Sequence, residues 1–488
     1  MKKTLIFNII GKILIFEAVV MVLPLFISFI YKEKTIYKLS FVITMSVLAS
    51  IGFFMNIKKA EDVAMKARDG FVIVALSWIL MSALGALPFV ISKDIPNYFD
   101  ALFEISSGFS TTGASSIKDL SVISKSMLFW RSFSHWLGGM GILVLILSFI
   151  PESKDGSTIH IMRAESTGPQ VGKLVSKVKI TSRILYLIYL TITVIEFIFL
   201  LLGPDKNIGV YESILLSFST AGTGGFAVLS SSVVTYSAYT QYVIGIFMLI
   251  FGTNFTIYYL LLIGKWKEVI KSEELKWYII TAALAIVLIM FSIRNLYSSF
   301  EEVFRLSFFQ VFSVMSTSGF TAVDFAKEWP TLAKWTLILL MFTGCCAGST
   351  GGGIKISRLI ILMKTSWQNI RKMINPRRVS VVKYDGNVLT DDVSKSVQTF
   401  FITYIFITAI VTLLISIIEP DIDVLSNLTG TISCIGNVGP GLSMVGSYGD
   451  FSFYSSLSKL IFSLTMITGR LEIFPLIIAL SPSTWRKK

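Results

Sequence analysis

The sequence predicts an all-α polytopic membrane protein. In this fold, four pseudo-repeated units of helix, pore half-helix, filter loop and helix surround one pore, and two N-terminal transmembrane helices precede them. Three observations predict it. Of the 488 residues, 53% are hydrophobic and only 15% charged, with a mean hydropathy of +0.73, whereas soluble domains carry about 25% charged residues. Apolar runs recur along the chain, close to the ~20 residues that cross a bilayer. A short polar Thr/Gly segment then recurs four times beside those runs, about one hundred residues apart. The four are Ser110-Thr111-Thr112-Gly113-Ala114, Ala221-Gly222-Thr223-Gly224-Gly225, Ser316-Thr317-Ser318-Gly319-Phe320 and Gly436-Asn437-Val438-Gly439-Pro440.

Residues 1–57 hold two helices, over about 5–30 and 38–56. Lys12 and Glu17 interrupt the first run and no small-residue cleavage site follows it, so it reads as a retained helix instead of a secretory leader. Unit one, residues 58–150, starts with the basic segment from Lys58 and Lys59 to Arg68. It continues with a helix over about 70–91, the half-helix leading to Gly113, and a helix over about 126–150. Unit two lies within 151–264, after a connector with Lys154, Arg163, Lys173, Lys177, Lys179 and Arg183. It has a helix over about 184–202, a half-helix over 210–220, the loop at Gly224 and a helix over 237–264.

Unit three, within 265–375, follows Lys265, Lys267, Lys271 and Lys276. It has a helix over about 277–293, a half-helix over 302–315, the loop at Gly319, and a helix from Leu332 that breaks at Gly344–Gly353 and resumes at Ile354. The connector to unit four holds Arg371, Lys372, Arg377, Arg378 and Lys383. Unit four, within 376–488, has a helix over about 397–418, a half-helix over 424–434, the loop at Gly439, a helix over 454–480 and the closing Trp485-Arg486-Lys487-Lys488. The plan gives ten spans and four re-entrant half-helices. Every basic connector falls on one side and every loop is entered from the other, so the positive-inside rule makes both termini cytoplasmic. The half-helices are too short to cross, so they dip in and return with their irregular backbone facing protein or water.

Composition also excludes. A net charge of +13 reports membrane topology first, so nucleic-acid binding does not follow from it. Cys345, Cys346 and Cys434 show no disulfide framework or metal spacing, and His135 and His160 stand far apart. Catalysis, a metal cofactor and a covalently bound cofactor are therefore not expected. Lys355 follows Gly353 by two residues, which breaks the Gly-Lys-Ser/Thr spacing of a phosphate loop.

Four half-helices running inward present partially negative C-terminal ends that favour a cation, and loop carbonyls can replace its water. The candidate filter residues are Thr111, Thr112 and Gly113; Thr223 and Gly224; Thr317, Ser318 and Gly319; and Asn437, Val438 and Gly439. Asp100, Glu104, Glu212, Glu301, Glu302, Asp421 and Asp423 either gather cations at the outer mouth or are solvated loop charges. Gly344, Cys345, Cys346, Ala347, Gly348, Ser349, Thr350, Gly351, Gly352 and Gly353 form either a gate lining a cavity or a small-residue packing kink. Arg470, a charge inside an apolar run and hence functional by default, either bonds carbonyls of that loop or pairs with Glu472.

The four loops, together with Phe133-Ser134-His135-Trp136-Leu137-Gly138-Gly139-Met140-Gly141, Gly344–Lys355, Asn437-Val438-Gly439-Pro440-Gly441 and Gly469-Arg470-Leu471-Glu472, resemble the Trk/Ktr/HKT superfamily of cation transporters. The similarity covers nearly the whole chain and is nearest the bacterial TrkH/TrkG-type potassium subunits. It implies gated potassium uptake across the bacterial plasma (inner) membrane, K+ held at the filter, and a homodimer with one pore per subunit. It also implies a cytoplasmic TrkA-type regulatory subunit, so that a nucleotide enters only through that partner. The family's filter glycines map onto Gly113, Gly224, Gly319 and Gly439, its gate loop onto Gly344–Gly353, and its gate-contacting arginine onto Arg470. Relatives with serine at the first position favour sodium, so Gly113 points to potassium. Ala221-Gly222 departs from the pattern, where a bulkier residue and a serine or threonine are expected. Two alternatives stand beside channel-like conduction: an ion-coupled K+ symporter using H+ or Na+, and an intramembrane hydrolase. The basic connectors face either a protein partner or anionic lipid.

Overall fold

The computed structural model describes residues 3–58, 66–141, 178–376 and 381–486. Lys59, Lys154, His160, Arg163, Lys173, Lys177, Arg377, Arg378, Lys487, Lys488 and the 142–150 end of the first unit's second helix lie outside the described residues. The fold is helical, and its one strand pair among the described residues is the short hairpin of Lys383–Tyr384 with Asn387–Val388.

Among the described residues, six helices are long and apolar enough to span a membrane: Lys3–Ile30, Thr35–Asn56, Ala67–Ser92, Ser182–Leu201, Glu273–Ile293 and Asp391–Ile418. Their outward faces are apolar and exposed, as at Leu284, Val287 and Phe291 or Phe406, Leu413 and Ile417, which is how a lipid-facing surface reads. The two N-terminal spans cross at Gly11 and Gly52, where a Cβ on either glycine would lie under 3.0 Å from the other's carbonyl oxygen. Small residues allow that backbone approach, the usual basis of helix pairing in lipid.

Four pore helices sit inside this shell: Tyr98–Phe109, Val210–Ala221, Phe300–Met315 and Val424–Gly436. Each has a defined start. Asn97 accepts from Phe99 N–H at 2.9 Å, Glu212 accepts from Gly209 N–H at 3.0 Å, Ser299 accepts from Glu301 N–H at 3.2 Å, and Asp423 accepts from Ser426 N–H at 3.0 Å. Twelve residues of helix rise only ~18 Å, well short of the ~30 Å hydrocarbon core.

The closing helix is interrupted in units two, three and four and ends at Gly139 in unit one, whereas the sequence pattern showed a break in unit three alone. In unit one Lys125–Gly139 stops at Met140-Gly141. In unit two Ala238–Phe251 and Phe255–Leu262 meet at 88°, and in unit four Ser456–Arg470 and Phe474–Leu480 meet at 119°. In unit three Thr331–Phe342 gives way to irregular backbone until Ile356–Ile374 begins. Hydropathy misses the other breaks because their polar residues are too few to lower the average over the surrounding apolar run. The signals are local: Asn254 starts a new helix by accepting from Thr256 N–H at 2.9 Å, and Glu472 and Ile473 take φ of 54° and 70°.

Candidate functional site: a four-loop ring above an intramembrane loop

All four pore helices end in the same backbone motif. A left-handed residue follows each helix: Thr111 (φ 58°), Thr223 (53°), Thr317 (63°) and Asn437 (54°). The next residue's N–H reaches back five positions into the helix. Thr112 donates to Ser107 at 2.9 Å, Gly224 to Ser219 at 2.8 Å, Ser318 to Ser313 at 2.9 Å and Val438 to Ser433 at 3.0 Å. This is the Schellman closure, usually built on glycine. Three of the four positions here hold β-branched threonine, a conformational outlier of the kind that clusters at functional sites. A positive-φ glycine comes next in each loop: Gly113 (79°), Gly225 (75°), Gly319 (78°) and Gly439 (102°).

The register of loop two is thereby corrected. Gly225, and not Gly224, is the counterpart of Gly113, Gly319 and Gly439; Gly224 corresponds to Thr112, Ser318 and Val438. The two adjacent glycines made the choice ambiguous in sequence, and the hydrogen-bond pattern resolves it.

These glycines close a ring. A Cβ on Gly113 would fall under 3.0 Å from the Gly224 carbonyl oxygen, one on Gly225 from that of Ser318, one on Gly319 from that of Val438, and one on Gly439 from that of Thr112. Each loop therefore abuts the next, and the fourth abuts the first. Thr111, Thr112, Thr223, Thr317, Ser318, Asn437 and Val438 are fully buried behind the ring. Asn437 Nδ2 donates to Thr112 Oγ1 at 3.0 Å, joining unit four to unit one. All four ring glycines line an outer vestibule of about 120 Å³, with Lys118, Arg131 and Asp450 also on its wall.

Acids at the mouth are largely committed to structure. Glu104 pairs with buried Arg131 and accepts from Ser116 N–H at 3.0 Å, while Asp100 pairs with Lys459 at 2.7 Å. Glu301 pairs with Arg305 at 2.9 Å, and Glu212 and Asp423 cap their helices. Partial burial alone would raise the Asp423 carboxyl, but hydrogen bonds from Ser426 and Ser443 outweigh it and hold the group below the usual aspartate range. Glu419 shows the same balance, with Ser455, Ser458 and Lys459 holding it down.

Beneath the ring lies the unit-three loop. Thr343 and Ile354 bridge in parallel, closing its base, and Gly344 N–H donates to Ile354 O at 2.7 Å. The loop touches the ring from below, where Gly352 N–H donates to Thr317 Oγ1 at 2.8 Å. It is tied to the unit-two break, with Cys346 N–H on Gly252 O at 3.1 Å and Phe255 N–H on Gly348 O at 3.1 Å. Arg470 Nη1 donates to Thr350 O at 2.6 Å, and its Nη2 donates to Gly138 O and Gly139 O at the unit-one break. Arg470 thus joins breaks in units one, three and four. Glu472 pairs with Arg358.

Four contributors to the two layers escaped sequence reasoning. Glu274 accepts from Ala347 N–H at 2.7 Å and Ser357 N–H at 3.2 Å, fixing both ends of the loop, and buried Lys355 donates to Gly351 O within it. Arg131 and His135 brace the ring above from the side, with Arg131 Nη1 donating to Ala227 O at 3.3 Å and His135 Nδ1 lying 2.8 Å from Gly108 O. A charge next to a glycine-rich break was the available signal for Lys355; the others depend on contacts distant in sequence.

The family described as TrkH, cation transport protein, matches residues 38–487. The chain belongs to this family. It is 32% identical to the Trk system potassium uptake protein TrkH of Salmonella typhimurium, covering 98% of this chain and 99% of that one. It is also 32% identical to TrkG of Escherichia coli K12, covering 95% and 94%. The crystal structure of the potassium transporter TrkH from Vibrio parahaemolyticus superposes with a TM-score of 0.87 at 30% identity, covering all of both chains. As a TrkH-family protein with this helical architecture, the chain is a multi-pass membrane protein.

Proposed function

We propose that this chain takes up potassium across the bacterial inner membrane, through a filter made by the backbone around Gly113, Gly225, Gly319 and Gly439. The observation that carries the reading is the closed ring: four equivalent left-handed turns, each glycine against a carbonyl of the next loop. Carbonyl oxygens on such a ring substitute for the hydration shell of K+, and the converging helix C-termini add negative potential. The relatives named for potassium uptake support the ion assigned here.

In this reading Gly344–Gly353 is the gate, Arg470 holds it shut from below, and conduction needs the loop to leave Thr317 and Arg470. Both termini face the cytoplasm, acyl chains cover the exposed apolar faces, and the protein works as a homodimer under a cytoplasmic TrkA-type nucleotide-binding subunit. A second reading, proton-coupled symport, draws on Glu17 and Glu196, two fully buried carboxyls on separate helices, the first without a hydrogen-bond partner among the described residues.

Flux of K+ and Na+ into liposomes holding the purified chain tests both. Uptake that follows the K+ gradient alone, with K+ preference lost in Gly319→Ser, supports the filter; uptake that requires an opposing proton gradient supports symport.

A further inference from the structure

Loop two carries three glycines, where loops one and three carry one each and loop four carries two, Gly436 and Gly439. Gly222 stands where loops one and three have Ser110 and Ser316, and Gly224 stands where loops one, three and four have Thr112, Ser318 and Val438. Space accounts for both departures. A Cβ on Gly224 would fall under 3.0 Å from Nδ1, Cγ and Cε1 of His135, and one on Gly222 would meet the carbonyl of the same residue.

His135 belongs to unit one, on the helix Lys125–Gly139, and is fully buried. Its Nδ1 lies 2.8 Å from Gly108 O, at the end of the first pore helix, and its ring centroid lies 4.0 Å from that of Phe226, which follows Gly225. One turn earlier, Arg131 sets its guanidinium 3.3 Å from the Phe226 ring centroid. That i, i+4 spacing puts both side chains on one helix face. The imidazole thus bridges the end of pore helix one and the second filter loop.

We infer that His135 is the positioning residue of the second filter loop: its ring supplies, from the neighbouring unit, the packing that Thr112, Ser318 and Val438 supply within their own loops, and so sets the ring width at Gly225 and the preference for K+ over Na+. The inference rests on the filter reading above. Gly224 has no side chain of its own and a wide range of accessible backbone angles, so without the ring its carbonyl, which abuts Gly113, is free to shift.

The test uses full-length protein in liposomes, with the K+/Na+ flux ratio and the melting temperature as readouts. His135→Ala is expected to lower the ratio about tenfold, equivalent to about 1.4 kcal/mol. Gly224→Ser alone overlaps the imidazole and lowers the melting temperature. Combining the two puts a serine, as in loop three, into the vacated space, and is expected to recover melting temperature relative to Gly224→Ser and ratio relative to His135→Ala. His135→Phe keeps a ring and is expected to hold the ratio above that of His135→Ala. An unchanged ratio in His135→Ala overturns the inference, as does a double variant that folds no better than Gly224→Ser. Gly319→Ser, run in parallel, separates the two readings. No change there sinks the filter itself, whereas a fall there without one in His135→Ala sinks only the role of His135.

Discussion

The outer and inner layers of the pore answer the same four-unit geometry in opposite ways. In the filter layer the units converge on one backbone solution, with the left-handed residue, the five-residue return bond and the positive-φ glycine repeated four times. In the layer below, the four helix breaks share almost nothing: a stop at Gly141, bends of 88° and 119°, and a loop between Phe342 and Ile356. The contrast teaches where identity matters. Under the proposed function, a permeating ion held by the ring would meet each unit's backbone alike, which is a reason for the units to stay alike. Under the same proposal, a loop that is held on one side and released would need a particular arginine, carboxylate and threonine at particular points, which is a reason for the units to diverge.

Substitutions sharpen or break this division. The largest effect is expected at Gly225→Ala, which forces a Cβ at φ 75° against the Ser318 carbonyl. Flux assays should find K+ uptake abolished, and His135→Ala should not rescue it, because the obstruction is backbone. Uptake in that variant close to the parent's would return the ring position to Gly224. Next, Glu104→Gln leaves Arg131 buried without its anionic partner, a change that costs about 3 kcal/mol or more. Thermal unfolding in detergent should show a marked drop in melting temperature, and no drop would mean that the pair is dispensable.

A smaller effect is expected from Arg470→Gln. Losing charged hydrogen bonds of about 1.5–3 kcal/mol each should raise open probability in single-channel records by tenfold or more, with the K+/Na+ ratio held. A changed ratio would mean that the two layers are not separable. The smallest belongs to Thr317→Val, which removes the acceptor of Gly352 N–H and about 1 kcal/mol with it. Open probability should rise about fivefold; a fall would show that the bond favours the open state.

The same division explains what was legible in the sequence. The spans and the pore helices followed from apolar runs of two lengths, since hydropathy is a local property. The ring was legible through the recurrence of a glycine in each loop, except in loop two, where Gly224 and Gly225 are chemically identical and only the folded backbone, with Gly224 N–H on Ser219 O and Gly225 at φ 75°, separates their roles. In the inner layer, the unit-three loop announced itself by composition. The other breaks did not, because Thr253-Asn254 and Leu471-Glu472-Ile473 are too short to lower a hydropathy average. Arg470 was recognisable as an expensive charge, but its Glu472 neighbour pairs with Arg358, a choice made by the fold.

The order in which the ring closes has a consequence for biogenesis. Gly439 abuts the Thr112 carbonyl, and Asn437 meets the Thr112 hydroxyl across 325 residues of chain. A ribosome that has delivered three units has therefore delivered three loops of an open ring, with loops one and three each lacking a neighbour. The circle of glycines and carbonyls is completed only by the last unit, so under the proposed function an ion site formed by all four loops would require the whole chain to be in place.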